Sequence, residues 1–334
     1  MKNSLAMRLL AACTVTGLAL AGCSAGDEGS MTIEQGVYTS NLPLDLPMMV
    51  AKDRGLFADR GLTVNTTTIE SGTDMVTAII SGSVNVGNPA TPPAVRVFTE
   101  QGADLGGLAG GTALDFRIVV PPGAPVPPQG ASMEERAAAL KGKTVMVVGS
   151  GTLTDWWLRD VLQRSNITDK DLTIIPASNV PSQIAALTSG DVDAIVAFGT
   201  VPALLGEEGR DYQVLLGIPE GHTGDTYKPY LQTFIAASNR WQDSNPEAIE
   251  AYCGAVSEAV DWLEDDANHD EAVQAMSDWT KLDRADAEKL LQTTEYRMHL
   301  DETSWTALGT TVGHPDEMNV DDQVNSSCNS QFTE

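Results

Sequence analysis

Two small α/β lobes, each built on a parallel sheet, are what this chain of 334 residues predicts, and three observations carry that prediction. The first is length: with an N-terminal export segment set aside, 312 residues remain, too many for one hydrophobic core. The second is an internal repeat. "VTAIISGSVNV" (76–86) aligns with "IAALTSGDVDA" (184–194) 108 residues later, and "GVYTSNL" (36–42) meets "TVMVVGS" (144–150) at that same offset. "LTVNTTTI" (62–69) meets "LTIIPAS" (172–178) at an offset of 110. The third is alternation: each copy reads strand, loop, helix, strand, loop, helix ending at glycine, short strand. Strands joined through helices pair in parallel.

In chain order, "MKNSLAMRLLAACTVTGLALAGC" (1–23) carries Lys2 and Arg8, an apolar stretch, small residues and a cysteine. That is a secretory signal, too short and wrongly flanked for a permanent span; no other apolar run approaches bilayer length. Its ending resembles the lipobox of bacterial lipoproteins. The resemblance makes residues 1–22 a removable signal peptide and Cys23 the lipidated first residue, with 23–31 as a polar tether. Lobe one takes residues 32–120 and again 230–334; lobe two takes 121–229. "PPGAPVPPQGAS" (121–132) is the predicted first crossing, because proline blocks regular structure. "YKPYLQTFIAAS" (227–238) returns the chain. Gly82 and Gly190 stand just past helix ends, where a left-handed residue is needed. From 245 to 311 the spacing predicts amphipathic helices, the first capped by Ser244 or Asn245 with Pro246 in its first turn.

Residues 1–22 hold two bases and no acid, so the rest of the chain has 18 basic and 46 acidic side chains and a formal charge of −28. Nucleic acid and anionic headgroups are poor partners for such a surface. Cys13 leaves with the signal and Cys23 takes lipid. Cys253 and Cys328 remain in an exported chain, where a disulfide is the natural pairing. Nucleotide chemistry is disfavoured: "GKT" (142–144) precedes its strand, and Ala137 stands where a phosphate loop needs its first glycine. "GSG" around Ser150 is no hydrolase elbow. The four histidines have no metal-ligand spacing to one another, and no cofactor or metal is expected.

In open parallel sheets a ligand sits beyond the carboxyl ends of the strands. Those ends supply the candidates: Ser40, Asn41 and Asp45; Gly72 and Thr73; Asn88 and Ala90; then Ser150, Gly151, Thr152 and Trp156; Asn179; Phe198 and Thr200. These residue types also favour turns and caps without any ligand. None of the six loops contains Arg or Lys, while Asp45, Glu70, Asp74 and Asp155 lie in or beside them. That pattern favours a zwitterion or a neutral heteroaromatic over a bare anion, with Arg117, Tyr38 and Tyr230 able to approach from the crossings. Trp156 and Trp157 lie about 100° apart on a helix, so one packs inward and the other is free to wall the cleft. Trp156, at the start of the turn, is the better placed to cover a ligand.

"LPMMVAKDRGLFADRGLTV" (46–64), "SGTDMVTAIISGSVNVG" (71–87), "KGKTVMVVGSGT" (141–152) and "SGDVDAIVAF" (189–198) resemble the solute-binding proteins of the nitrate/sulfonate/taurine and thiamine-pyrimidine family. The resemblance runs over about residues 33 to 260. It implies a type II periplasmic-binding-protein fold, two lobes around a ligand cleft with two hinge crossings. It also implies a monomeric, non-enzymatic receptor that delivers a small organic solute to an ABC permease. A lipid anchor on Cys23 would hold it at the outer face of the cell membrane or in the periplasm. A secreted enzyme and a ligand sensor using the same cleft are the alternatives.

Overall fold

The computed structural model describes residues 31–39, 41–207 and 211–332. The first copy of the repeat runs β1 (Met31–Tyr38), α1 (Leu46–Asp53), β2 (Leu62–Ile69), α2 (Gly72–Ser81), β3 (Val86–Gly87), α3 (Thr91–Gln101) and β4 (Gly106–Ala109). The chain then passes through β5 (Gly111–Thr112) into β6 (Arg117–Val120) and α4 (Met133–Ala138). The second copy follows as β7 (Thr144–Val148), α5 (Leu153–Arg164), β8 (Thr173–Ala177), α6 (Val180–Ser189), β9 (Ala194–Ala197), α7 (Val201–Glu207) and β10 (Gln213–Gly217). After β11 (Ile235–Ala237) come α8 (Asn239–Ser244), α9 (Pro246–Glu264), α10 (His269–Thr280) and α11 (Arg284–Thr293). The chain ends in β12 (Tyr296–Arg297), α12 (Glu302–Thr310), α13 (Val320–Gln323) and α14 (Ser326–Asn329).

The repeat is visible in the caps as well as in the order. Ser71 Oγ accepts from Asp74 N at the start of α2, and Asn179 Oδ1 accepts from Ser182 N at the start of α6. Both helices end on a left-handed glycine, Gly82 at φ 77° and Gly190 at φ 82°, a conformation costly for any residue with a β-carbon. In each lobe the first strand of the copy is central and parallel to its neighbours: β2-β1-β3 and β8-β7-β9.

Each five-stranded sheet is completed by two further strands, of which one crosses over. Lobe one reads β2-β1-β3-β11-β4, and lobe two reads β8-β7-β9-β6-β10, the same pattern. The fourth place is filled antiparallel by the strand that has just crossed, β11 in lobe one and β6 in lobe two. This corrects the expected boundary. Arg117–Val120 pairs on both sides within lobe two and is buried throughout, so the first crossing spans residues 113–116 and precedes the proline-rich 121–132. Proline marks the loop between β6 and α4; a four-residue strand with two flanking partners decides which sheet owns it.

Helices cover both faces of each sheet. In lobe one, Ile33, Val50, Phe57 and Val256 pack on one side, and Met75, Ile79, Phe234 and Trp305 on the other. In lobe two the corresponding cores hold Val145, Trp157 and Leu158, and then Leu187, Ile195 and Val201. Cys253 of α9 and Cys328 of α14 are joined by a disulfide, Cα–Cα 5.4 Å.

Candidate functional site

The helices that follow the parallel strands start at the carboxyl ends of those strands, and the sequence decides which of their first N–H groups are free. Proline removes donors from most of them: Pro47 in α1, Pro92 and Pro93 in α3, Pro181 in α6, Pro202 in α7. At α3 the remaining Thr91 N donates to Gln232 O, 3.0 Å. Only α5 keeps a full first turn. Among the described residues the N–H groups of Leu153, Thr154 and Asp155 meet no acceptor, and all three residues are buried. Such a turn carries partial positive charge and attracts an anion.

The turn leading into α5 is built by glycine. Gly149 and Gly151 hold φ values of 78° and 70°. Thr152 Oγ1 donates to Gly149 O at 3.1 Å and shares a hydrogen bond with Thr154 Oγ1, 2.9 Å. Gly151 N donates to Asp155 Oδ2, 2.8 Å, and the other oxygen of Asp155 accepts from Arg159 Nε. Of the candidate hydroxyls here, Ser150 is exposed and without a hydrogen bond, whereas Thr152 is committed to the turn.

Across from this turn stands a cation that lies in none of the strand-end loops. Arg96, in the second turn of α3, is partly buried and, among the described residues, the one arginine with neither hydrogen bond nor ion pair. A β-carbon placed on Gly151 would lie 3.9 Å from Arg96 Nη2. A lobe-one guanidinium thus faces the lobe-two helix start. A β-carbon at 151 would touch it at ordinary contact distance; it is the φ of 70° that keeps the position for glycine.

The other candidates divide into those at the mouth and those used for construction. Asp45 is fully buried; its oxygens accept from Tyr38 N (2.9 Å) and Asn88 Nδ2 (3.2 Å). Burial pushes its carboxyl up to about 7, against the pull of those two donors. Asn88 is 2 % exposed and also donates to Leu44 O, and the Tyr38 hydroxyl donates to Asn88 O. These three residues tie the ends of β1 and β3 together and present no free group to a solute. Gly72 and Ala90 abut, a β-carbon on Gly72 falling 2.6 Å from that of Ala90, with Thr73 exposed beside them. Asn41 is partly exposed in a left-handed turn, φ 48°. Asn179 is an exposed cap, and Ser40 lies outside the described residues. Phe198 packs on Phe116 with ring centroids 6.0 Å apart, and Thr200 is 9 % exposed in the same loop.

The two tryptophans part as helix geometry requires. Trp157 is fully buried against Phe116 and Tyr227. Trp156 remains partly exposed with its ring 4.9 Å from that of Tyr230 in the second crossing. Arg117 is spent within lobe two, paired with Glu220 at 2.7 Å. Elsewhere, α1, α9 and α10 border a cavity of about 330 Å³ lined by Trp262, Trp279, Asp53, Glu271 and Asp278. Three carboxylates make it unfit for an anion. Among the described residues no cluster of three or more His, Cys, Asp or Glu is placed to hold a metal.

Comparison with known proteins bears on what such a cleft does. The sequence profile of the NMT1-like family matches residues 43–277, well over half of the chain. The chain belongs to the NMT1-like family. It is 30% identical over 146 residues to the nitrate/nitrite binding protein NrtA of Synechococcus elongatus, a match covering 42% of this chain and 30% of that protein. Among solved structures it is similar to the periplasmic aliphatic sulphonate binding protein SsuA of Escherichia coli, with a TM-score of 0.69 at 16% identity over 88% of this chain and 97% of the other. The periplasmic nitrate-binding protein NrtA of Synechocystis also superposes, with a TM-score of 0.69 at 19% identity over 90% and 87%. These likenesses establish the two-lobed periplasmic-binding-protein fold. The desulfurization enzyme DSZB shares that fold, TM-score 0.65 at 15% identity over 90% and 98%, so for this NMT1-like chain the fold alone does not separate receptor from enzyme.

Sequence reasoning missed Arg96 because it searched the strand-end loops. The residue lies five positions into a helix, and only the packing of α3 beside the second lobe's turn turns it toward the cleft. One signal was legible: Arg96 follows "PATPPAV" without an acid three or four residues away to pair with it on the N-terminal side.

Proposed function

We propose that this protein is an extracytoplasmic receptor, lipid-anchored through Cys23, that captures a small organic anion of the sulfonate class and delivers it to an ABC importer. The observation that carries the reading is the unpaired Arg96 guanidinium facing the free first turn of α5 from the opposite lobe. An anionic group between them satisfies both, and its charge favours the closed arrangement because each lobe supplies one side of the grip. A neutral heteroaromatic would desolvate Arg96 without compensation, at a cost well above that of an ordinary hydrogen bond. Of the zwitterion and the neutral heteroaromatic that the loops favour, the pair therefore supports the zwitterion. Trp156 and Tyr230 offer an apolar wall to the organic part, which a bare nitrate lacks. The exposed carboxylate of Asp74, at the start of α2, leaves a place for the ammonium of an aminosulfonate, whereas Asp155 is already filled by Gly151 N and Arg159.

Calorimetric titration with ethanesulfonate, taurine, nitrate and a neutral aminopyrimidine tests this. The sulfonates should bind and the pyrimidine should not. Arg96→Gln should weaken sulfonate binding by about 1.5–3 kcal/mol, the worth of a hydrogen bond to a charged group, with Arg96→Lys in between. Equal affinity in wild type and Arg96→Gln, or tighter binding of the pyrimidine, would remove the anion from this site.

A further inference from the structure

One continuous set of hydrogen bonds joins the two crossings to both lobes, and it runs through Gln232 and Asp115. Gln232 N donates to Thr112 O at 2.8 Å, and Gln232 Nε2 donates to Ala113 O at 3.0 Å and to Asp115 Oδ1 at 2.9 Å. The second oxygen of Asp115 accepts from Gly199 N at 2.7 Å. Gly199 lies in the lobe-two loop that meets lobe one: a β-carbon there would sit 3.8 Å from Pro43 Cδ. In the other direction, Gln232 O accepts from Thr91 N and from Thr91 Oγ1, at 3.0 and 3.1 Å, and Thr91 Oγ1 also reaches Leu231 O. Thr91 is the first residue of α3, the helix that carries Arg96.

Asp115 and Thr91 are 5 % and 0 % exposed, so water does not stand in for a lost partner here. Burial raises the Asp115 carboxyl while the Arg117 charge and the donated hydrogen bonds pull it down. An acid this deeply set, with both oxygens filled by groups from two different segments, is positioned to transmit displacement.

We infer that Asp115 and Gln232 are positioning residues, a latch tying the loop Phe198–Thr200 of lobe two to the first turn of α3 in lobe one, so that lobe closure and the aim of Arg96 are a single motion. Neither side chain is assigned to the solute. The consequence for binding rests on the receptor reading above; the mechanical coupling does not.

Hydrogen–deuterium exchange on the full chain, without ligand, tests the coupling directly. Gln232→Ala should speed exchange at Gly199 and at the Ala94–Arg96 amides together, by about tenfold, as expected for one buried partner lost. Asp115→Asn combined with Gln232→Glu exchanges amide and carboxylate, retains the bond between them and the acceptor for Gly199 N while losing the bond to Ala113 O, and should return both sets part of the way to wild type. Should the alanine variant not fold, Gln232→Met, which keeps the side-chain volume and loses only the amide, gives the same reading. Faster exchange confined to residues 112–115 and 230–233, or no rescue by the exchanged pair, overturns the latch. Ethanesulfonate titration of the same proteins keeps the two ideas apart. If wild type binds, Gln232→Ala should bind about tenfold more weakly, and undiminished binding counts against the latch. If wild type fails to bind, the sulfonate reading falls and the exchange data still decide the latch.

Discussion

At the scale of single residues, Asp45 shows how a strand-end acid serves construction. With both oxygens accepting inside lobe one, its burial raises the carboxyl from an ordinary 3.8 to about 7. The folded protein therefore holds a proton that the unfolded chain releases, and stability from this group is complete below pH 4 and lost as the pH rises through about 7. Asp45→Asn, neutral at every pH, should remove that loss. Between pH 4 and 7 the wild type should lose up to about 1.4 kcal/mol per pH unit relative to the variant in denaturant unfolding. Parallel curves for the two proteins would show that Asp45 ionises normally.

At the scale of elements, α5 does two tasks with one helix phase. Its first turn keeps its donors because no proline enters it, and its adjacent tryptophans point in different directions. Trp157 is sealed between Phe116 and Tyr227, while Trp156 leans on Tyr230, a residue of the second crossing. Trp156→Phe should abolish most of any sulfonate-dependent change in emission. Trp157→Phe should keep that change and lower stability by about 1–3 kcal/mol through the cavity it leaves. A full optical response in Trp156→Phe would move the ligand away from this wall. The prolines in α1, α3, α6 and α7 are the complement: they start helices well and offer an anion nothing.

At the scale of the whole molecule, the first strand after each crossing takes the fourth place in the sheet it enters, so the lobe-two sheet is complete before the chain returns, while the lobe-one sheet is completed only when β11 arrives through the second crossing. The disulfide between α9 and α14 then fastens the last helix to lobe one, across 75 residues. Among the described residues no helix is long and apolar enough to cross a membrane. Attachment through Cys23, which lies outside the described residues, is part of the proposal. Cys23→Ala should release the protein from membranes or stall its processing, as followed by fractionation and by labelling with a fatty-acid analogue, because acyl chains on Cys23 are what the proposal has holding it there. A normally processed variant that still sediments with membranes would remove the anchor from the proposal.

The sequence by itself determined the two α/β copies, their glycine-ended helices, the order of their elements and the loops that gather between them, because local periodicity and turn chemistry specify these within a few dozen residues. It also placed Ser150, Gly151 and Thr152 at a strand end that opens a helix, and set Trp156 and Trp157 on different sides of that helix. Three matters were decided only by the tertiary structure. The owner of β6 depended on which sheet offered partners on both sides. Asp45 and Asn88 read as ligand groups in a loop, yet the meeting of β1 and β3 turns them inward to satisfy each other. Arg96 reads as an ordinary helical cation until α3 is set beside the other lobe. In each case the deciding partner is far away in the chain, and the free energy of a buried charge or an unpaired strand depends on what is next to it in space.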